Sequence, residues 1–204
     1  MSSISNVKSI AERPPRRKPE SLAKIKRAAR KLFVERGYHA TRPQDIAREA
    51  GLGHGTFYLH YPDKRACFLA FVDDARAELD EFLRARRAPG QTLEEMIATA
   101  LHAIFEYSEM HPGVLNAAMT DEAIIDAEGV AAKPLLDRWG EDWAAILREA
   151  AQIGNATTDF DDDIAGQAIL GAIHQTASEG ARSGRDREDV VTNLTRFLVR
   201  ALAP

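Results

Sequence analysis

The chain has 204 residues and a mass of 22.5 kDa, with 45% hydrophobic and 28% charged residues. That fits one generous domain or a small module joined to a larger one, and it excludes collagen-like, mucin-like and wholly disordered chains. A single cysteine, Cys67, excludes an internal disulfide framework and a four-thiolate zinc site, and no apolar run approaches the roughly 18 residues of a membrane span. The formal net charge of −4 conceals a division: residues 1–65 carry 15 Lys/Arg against 6 Asp/Glu, and residues 66–204 carry 12 against 25. Polyanions respond to local charge, because each neutralised phosphate releases a condensed counterion. The basic front therefore points to a nucleic-acid module ahead of a second unit, or else to a solubilising basic tail; charge alone leaves both open. The first 20 residues hold no apolar core followed by a small-residue cleavage site, so no secretory leader is expected and the chain reads as a soluble protein of the reducing cytoplasm.

Residues 1–19 are rich in Ser, Pro and Arg, and three prolines between positions 14 and 19 argue for a disordered basic arm. From Ser21, which can act as a cap, Leu22, Ile25, Ala28, Ala29, Leu32 and Phe33 recur at three- and four-residue steps, so a helix is expected up to Gly37. Pro43 opens a second, short helix that carries Ile46, Ala47 and Ala50 inward and stops at Gly51. A third short helix is expected from His54 to Tyr61, closed by Pro62. Asp63 then caps a longer helix over 64–87, with Phe68, Phe71, Val72, Ala75, Leu79 and Phe82 on one side. After Pro89 and Gly90, amphipathic helices are expected near 91–110, 112–118, 128–153, 161–183 and 187–202, with a break over 121–128. No segment alternates in the manner of a strand, so the fold is expected to be all-α, in three parts: a disordered basic arm (1–19), a front helical unit (20–65) and a longer helical body (66–204).

The stretch from Gln44 to Tyr61 carries the functional signal. A short helix, a tight turn with glycine and a second short helix, wedged together by Ile46, Leu52 and Phe57, follow the physical logic of a helix-turn-helix. The second helix of such a unit enters a major groove about 12 Å wide and reads base edges from its first turns. His54, Gly55, Thr56, Tyr58 and His60 lie on or near that helix, and Lys64 adds positive charge at its rim. Phe57 and Tyr61 read as core, while His60 reads equally as a contact or as a packed residue. The glycines between 51 and 55 follow a helix rather than a strand and lack the lysine of a phosphate-binding loop, so that reading is poor.

These residues resemble the DNA-binding region of TetR-type (tetracycline-repressor-type) transcriptional regulators. The resemblance runs from Ser21 to Leu69 and rests on AARKLF at 28–33, RGY at 36–38, DIAREAG at 45–51 and GTFYLHYPDK at 55–64. It implies phosphate or base contacts for Arg42, Gln44, Thr56, Tyr58, His60 and Lys64, with operator choice made at His54 and Gly55. Arg42 stands where the family often has a hydroxyl residue, Pro43 where it has an aliphatic one, and Gly53 where it usually has a serine cap. The resemblance further implies a homodimer formed through 161–183 and 187–202, double-stranded operator DNA as partner, and a small-molecule effector in the second domain.

For the effector cavity the candidates are Phe105, Met110, Met119, Trp139, Trp143 and His174, though aromatic and methionine residues at helical spacing are also ordinary core. His102 and Glu106 stand one helical turn apart but have no third ligand in register, so no metal and no cofactor are expected. Neither is an enzyme, for which the chain would need converging titratable groups. The remaining rival is a non-specific architectural DNA binder, which would bind all sequences alike.

Overall fold

The structure, a computed structural model, describes residues 17–119 and 135–204. Most of the expected arm (1–16), the break over 121–128 and the start of the helix expected from 128 lie outside the described residues. Among the described residues there are only helices and connecting turns, so the fold is all-α. In chain order they are α1 (Arg17–Ala40), α2 (Pro43–Glu49), α3 (His54–Tyr58), α4 (Lys64–Arg84), α5 (Leu93–Met110), α6 (Val114–Ala118), α7 (Leu135–Gln152), α8 (Asp162–Ser183) and α9 (Arg187–Leu202).

Several boundaries differ from the sequence reading. α1 starts before Ser21 and takes in Pro19, which the first turn tolerates because its missing N–H has no intrahelical partner there. α3 ends at Tyr58 instead of Tyr61, and residues 59–61 complete a turn with His60 and Tyr61 both donating backbone N–H bonds to the Phe57 carbonyl. Gly37 (φ 76°) interrupts α1 where a stop was expected, and the chain re-enters one last turn.

Side-chain caps fix several starts. Asp63 accepts from the Ala66 N–H, Asp161 from Ile164, and Asp186 from Glu188 and Asp189. Thr92 and Glu95 form a reciprocal capping box at α5. Each such cap stabilises its helix by about 1 kcal/mol.

Two apolar cores organise the packing. The first begins under α1–α3, with Ile25, Leu32, Phe33, Ile46 and Phe57 buried, and runs along α4 through Phe68, Phe71 and Val72 to α6, Trp139 and Leu170. Its centre is aromatic: the Phe33 and Phe68 rings meet edge-on at 5.0 Å, and Tyr38 meets Phe68 at the same separation. The second core lies under the C-terminal half, where Ile97, Leu101, Leu147, Ile169, Ile173, Leu194 and Leu198 of α5, α7, α8 and α9 come together. α7 and α8 cross very closely. A Cβ at Gly166 would overlap the Gly140 carbonyl and stand 2.7 Å from the Ala144 nitrogen, so only glycine fits that crossing.

Candidate nucleic-acid interface and ligand cavity

The turn between α2 and α3 follows directly from Gly51. With φ at 67° it adopts the left-handed conformation that ends a helix, and its N–H bonds to the Arg48 carbonyl while Leu52 N–H bonds to Ala47. That paired pattern consumes the last free carbonyls of α2 and turns the chain sharply. Phe57, with no exposed surface, then pins α3 against Ile46 and Ala47 of the core. What remains outside is the opposite side of α3: His54 and Gly55 are exposed, Tyr58 is 49% exposed, and Thr56 is half-buried. The His54 and Tyr58 rings touch edge to face at 5.3 Å, which holds both on one outward ridge. Arg42 and Gln44 are exposed at the start of α2, beside it.

Two other sequence candidates have internal partners. Lys64 places Nζ 2.8 Å from the Tyr38 carbonyl and 4.1 Å from the centre of the Tyr38 ring, so its ammonium is held at the edge of α3. His60 is half-buried, with Nε2 2.8 Å from Ser21 Oγ on α1. His60 therefore ties the end of the recognition segment to α1. Gly53 precedes α3 in extended backbone without a side-chain cap, as expected of a position lacking serine.

A larger space opens between α4, α5, α7 and α8, a cavity of about 770 Å³. Phe105, Met119, Trp139, Trp143 and His174 all border it, brought together from four separate parts of the chain. Met110 does not; it is 58% exposed at the end of α5. α4 supplies one wall through Arg76, Leu79 and Leu83, and Arg76 grips Asp142 of α7 with Nε–Oδ2 and Nη2–Oδ1 contacts of 2.7 and 2.5 Å.

Residues 25–71 match the family model of bacterial regulatory proteins, tetR family. The chain is 28% identical over 141 residues to the HTH-type transcriptional repressor KstR2 of Rhodococcus jostii, covering 66% of this chain and 67% of the relative. It is 23% identical over 155 residues to the fatty acid metabolism regulator protein of Bacillus subtilis, covering 74% and 78%. Among solved structures, the transcriptional regulator FadR from Bacillus subtilis in complex with stearoyl-CoA superposes with a TM-score of 0.68 at 20% identity, over 87% of this chain and 97% of that one. Residues 25–71 therefore carry a DNA-binding domain of the tetR family of bacterial regulatory proteins.

Several residues that organise the site gave no signal in sequence. Thr41 is fully buried, with Oγ1 2.8 Å from the Gly37 carbonyl and 3.2 Å from that of Leu32, so it locks the approach to α2. Glu78 of α4 receives Arg30 of α1 at 2.7 Å and the Tyr107 hydroxyl of α5 at 3.0 Å, joining three helices at one carboxylate. Burial tends to raise its pKa, but the bonds from Arg30 and Tyr107 prevail and hold it below the usual carboxylate range. Burial and then the bond to Glu78 push the Tyr107 hydroxyl up to about 12. Only spatial proximity makes these groups partners. Burial likewise pushes the Cys67 thiol up to about 12, so it behaves as a small apolar core residue.

The pairing of His102 with Glu106 considered from sequence is not realised. His102 Nδ1 lies 3.7 Å from Glu188, while Glu106 is held by Arg86 at 2.8 Å. Among the described residues no cluster of His, Cys, Asp and Glu is placed to hold a metal ion, and no helix is long and apolar enough to cross a membrane.

Proposed function

We propose that this protein is a homodimeric, ligand-responsive repressor that binds a palindromic operator and leaves it when a small molecule occupies the cavity. The observation that carries this reading is α4 itself. One uninterrupted helix packs its first half into the core beneath α3, through Phe68, Phe71 and Val72, and lines the cavity with its second half, through Arg76, Leu79 and Leu83. A ligand that reshapes the cavity wall thereby alters the seat of the recognition helix, by as much as its affinity differs between the two arrangements.

In this reading His54 and Gly55 enter the major groove, and Arg42, Gln44, Thr56, Tyr58 and Lys64 lie against phosphates at its edges. His60 acts from within the protein, by keeping α3 in register with α1. The dimer forms through α8 and α9. Their inward residues Ile169, Ile173, Leu194 and Leu198 are consumed by the protein's own core, yet Ile164 (71% exposed), Ala168, Gly171, Phe197 (61% exposed) and Ala201 are left outside. This small and apolar stripe across two adjacent helices suits a two-fold four-helix contact.

Selection of bound duplexes from a random pool tests the reading. The expected product is a palindrome with half-site centres one helical turn apart, roughly 34–36 Å, favoured about 10³-fold or more over random DNA. Recovery of no consensus would favour a non-specific binder. A double variant, Tyr58→Phe with Lys64→Ala, is expected to weaken binding to operator and random duplex alike and to lower the salt slope by about one, from the lost Lys64 charge. Loss confined to the operator would count against their assignment to phosphates.

A further inference from the structure

Leu59, at the end of α3, is 71% exposed and belongs to neither apolar core. Among the described residues, five of the large apolar side chains left exposed lie in the body, and the head has two, Tyr58 and Leu59, side by side. Single exposed apolar residues are ordinary on protein surfaces. An adjacent pair confined to the outward side of one short helix is not, and it marks a surface that meets a partner.

Helix geometry decides where Leu59 stands. It caps α3 with helical backbone angles (φ −73°, ψ −17°), so residues up to it advance about 100° each around the axis. Phe57, with no exposed surface, marks the inward direction, and Leu59, two residues on, lies about 200° from it, nearly opposite. Gly55 is one turn earlier on the same outward line, and a Cβ there would meet nothing within 4 Å. Helical side chains lean over the turn that precedes them, so the ground left bare by Gly55 falls to Leu59. A helix laid outward-side-down in the major groove thus offers the bases an aliphatic group along this line. Such a group forms no hydrogen bond with a base edge or a phosphate; its match in the major groove is the methyl group of thymine.

We propose that Leu59 is a specificity-determining residue that packs on the methyl group of a thymine in each operator half-site. The proposal rests on the reading of α3 as the recognition helix and names the base feature selected at this position.

Replacing thymine by uracil in the selected operator, one symmetry-related pair of positions at a time, removes that methyl and keeps the base pairing. By fluorescence anisotropy with the full chain, one such pair is expected to weaken wild-type binding about fourfold for each half-site, the return of one methyl group to water. Leu59→Ala is expected to weaken operator binding at least as much and to bind the uracil and thymine duplexes equally at that pair. Its affinity for random duplex and its salt slope should match the wild type, because no phosphate contact changes. Truncation of an exposed residue outside both cores leaves folding intact, which thermal unfolding verifies, and the uracil scan of the wild type needs no variant at all. A scan without effect in the wild type, a Leu59→Ala protein that keeps the wild-type sensitivity to uracil, or one that loses operator and random duplex alike would each overturn the proposal. The same titrations separate the two levels. Specific operator binding that ignores uracil removes the role of Leu59 alone, whereas a wild type with no preference for any duplex removes the recognition-helix reading as well.

Discussion

The head formed by α1–α3 and the body formed by α4–α9 solve opposite packing problems. The head closes its interior completely around Phe57, Phe33 and Ile46, and its proposed reading surface is the outside of a five-residue helix. The body leaves its interior incomplete, with about 770 Å³ open between α4, α5, α7 and α8, the space proposed as its effector site. A reading helix must be rigid to aim side chains at base edges, so every void beneath it would cost precision. An effector site must instead have unsatisfied volume and a wall that can take two positions. The α4 helix belongs to both regions, and it is the link through which the proposed effector site would act on the head.

The strongest way to break this comparison is to open a void in the head. Phe57→Ala removes a fully buried ring and is expected to cost about 3–5 kcal/mol. Because the same core continues along α4 to Trp139, unfolding followed by tryptophan fluorescence and by far-ultraviolet dichroism should shift together. Separate transitions would show that head and body fold independently and that α4 does not join them.

The tight crossing within the body is the next target. Gly166→Ala forces a methyl into the Gly140 carbonyl and is expected to destabilise by about 1–3 kcal/mol, measured by denaturant titration. Gly55→Ala, in a helix but with no atom within 4 Å of the added methyl, serves as its control for stability. Equal effects at the two positions would remove close approach as the explanation.

A smaller effect sharpens the role of the Glu78 junction. Its pKa is lowered in the folded protein, so its contribution is fully present above the unfolded carboxylate value of about 4.3 and is lost as pH falls through the lower folded value. Glu78→Gln is therefore expected to cost about 0.5–1 kcal/mol at pH 7, a modest figure because the carboxylate is 44% exposed and screened. The gap between variant and wild type should close below pH 4. A difference that does not change with acidification would show that the charge of Glu78 is not what joins α1, α4 and α5.

Much of the head was legible because its signals are local. Gly37 and Gly51 mark their turns within a few residues of the helices they end, and Asp63 caps a helix that begins at the next residue. The spacing of Ile46, Leu52 and Phe57 likewise identifies the wedge without any distant partner. His60 shows where this logic stops: its sequence position on the reading segment says nothing of Ser21, 39 residues away, which engages its ring. In the body the aromatic residues at helical spacing suggested a pocket as readily as a core, and Met110 could not be told from Met119 until one was found exposed and the other on the cavity wall.

The sequence by itself determined which segments become helices, where the chain turns sharply and which side of each helix is apolar, because propensity, capping and periodicity act within a few residues. Tertiary structure alone decided that Arg30, Glu78 and Tyr107 meet, that Gly166 lies against Gly140, that Arg76 is neutralised by Asp142, and that Trp139 is buried with no acceptor among the described residues. Those outcomes depend on how helices far apart in the chain cross, and a burial or a charge acquires its cost or its value only from the groups that the crossing brings beside it.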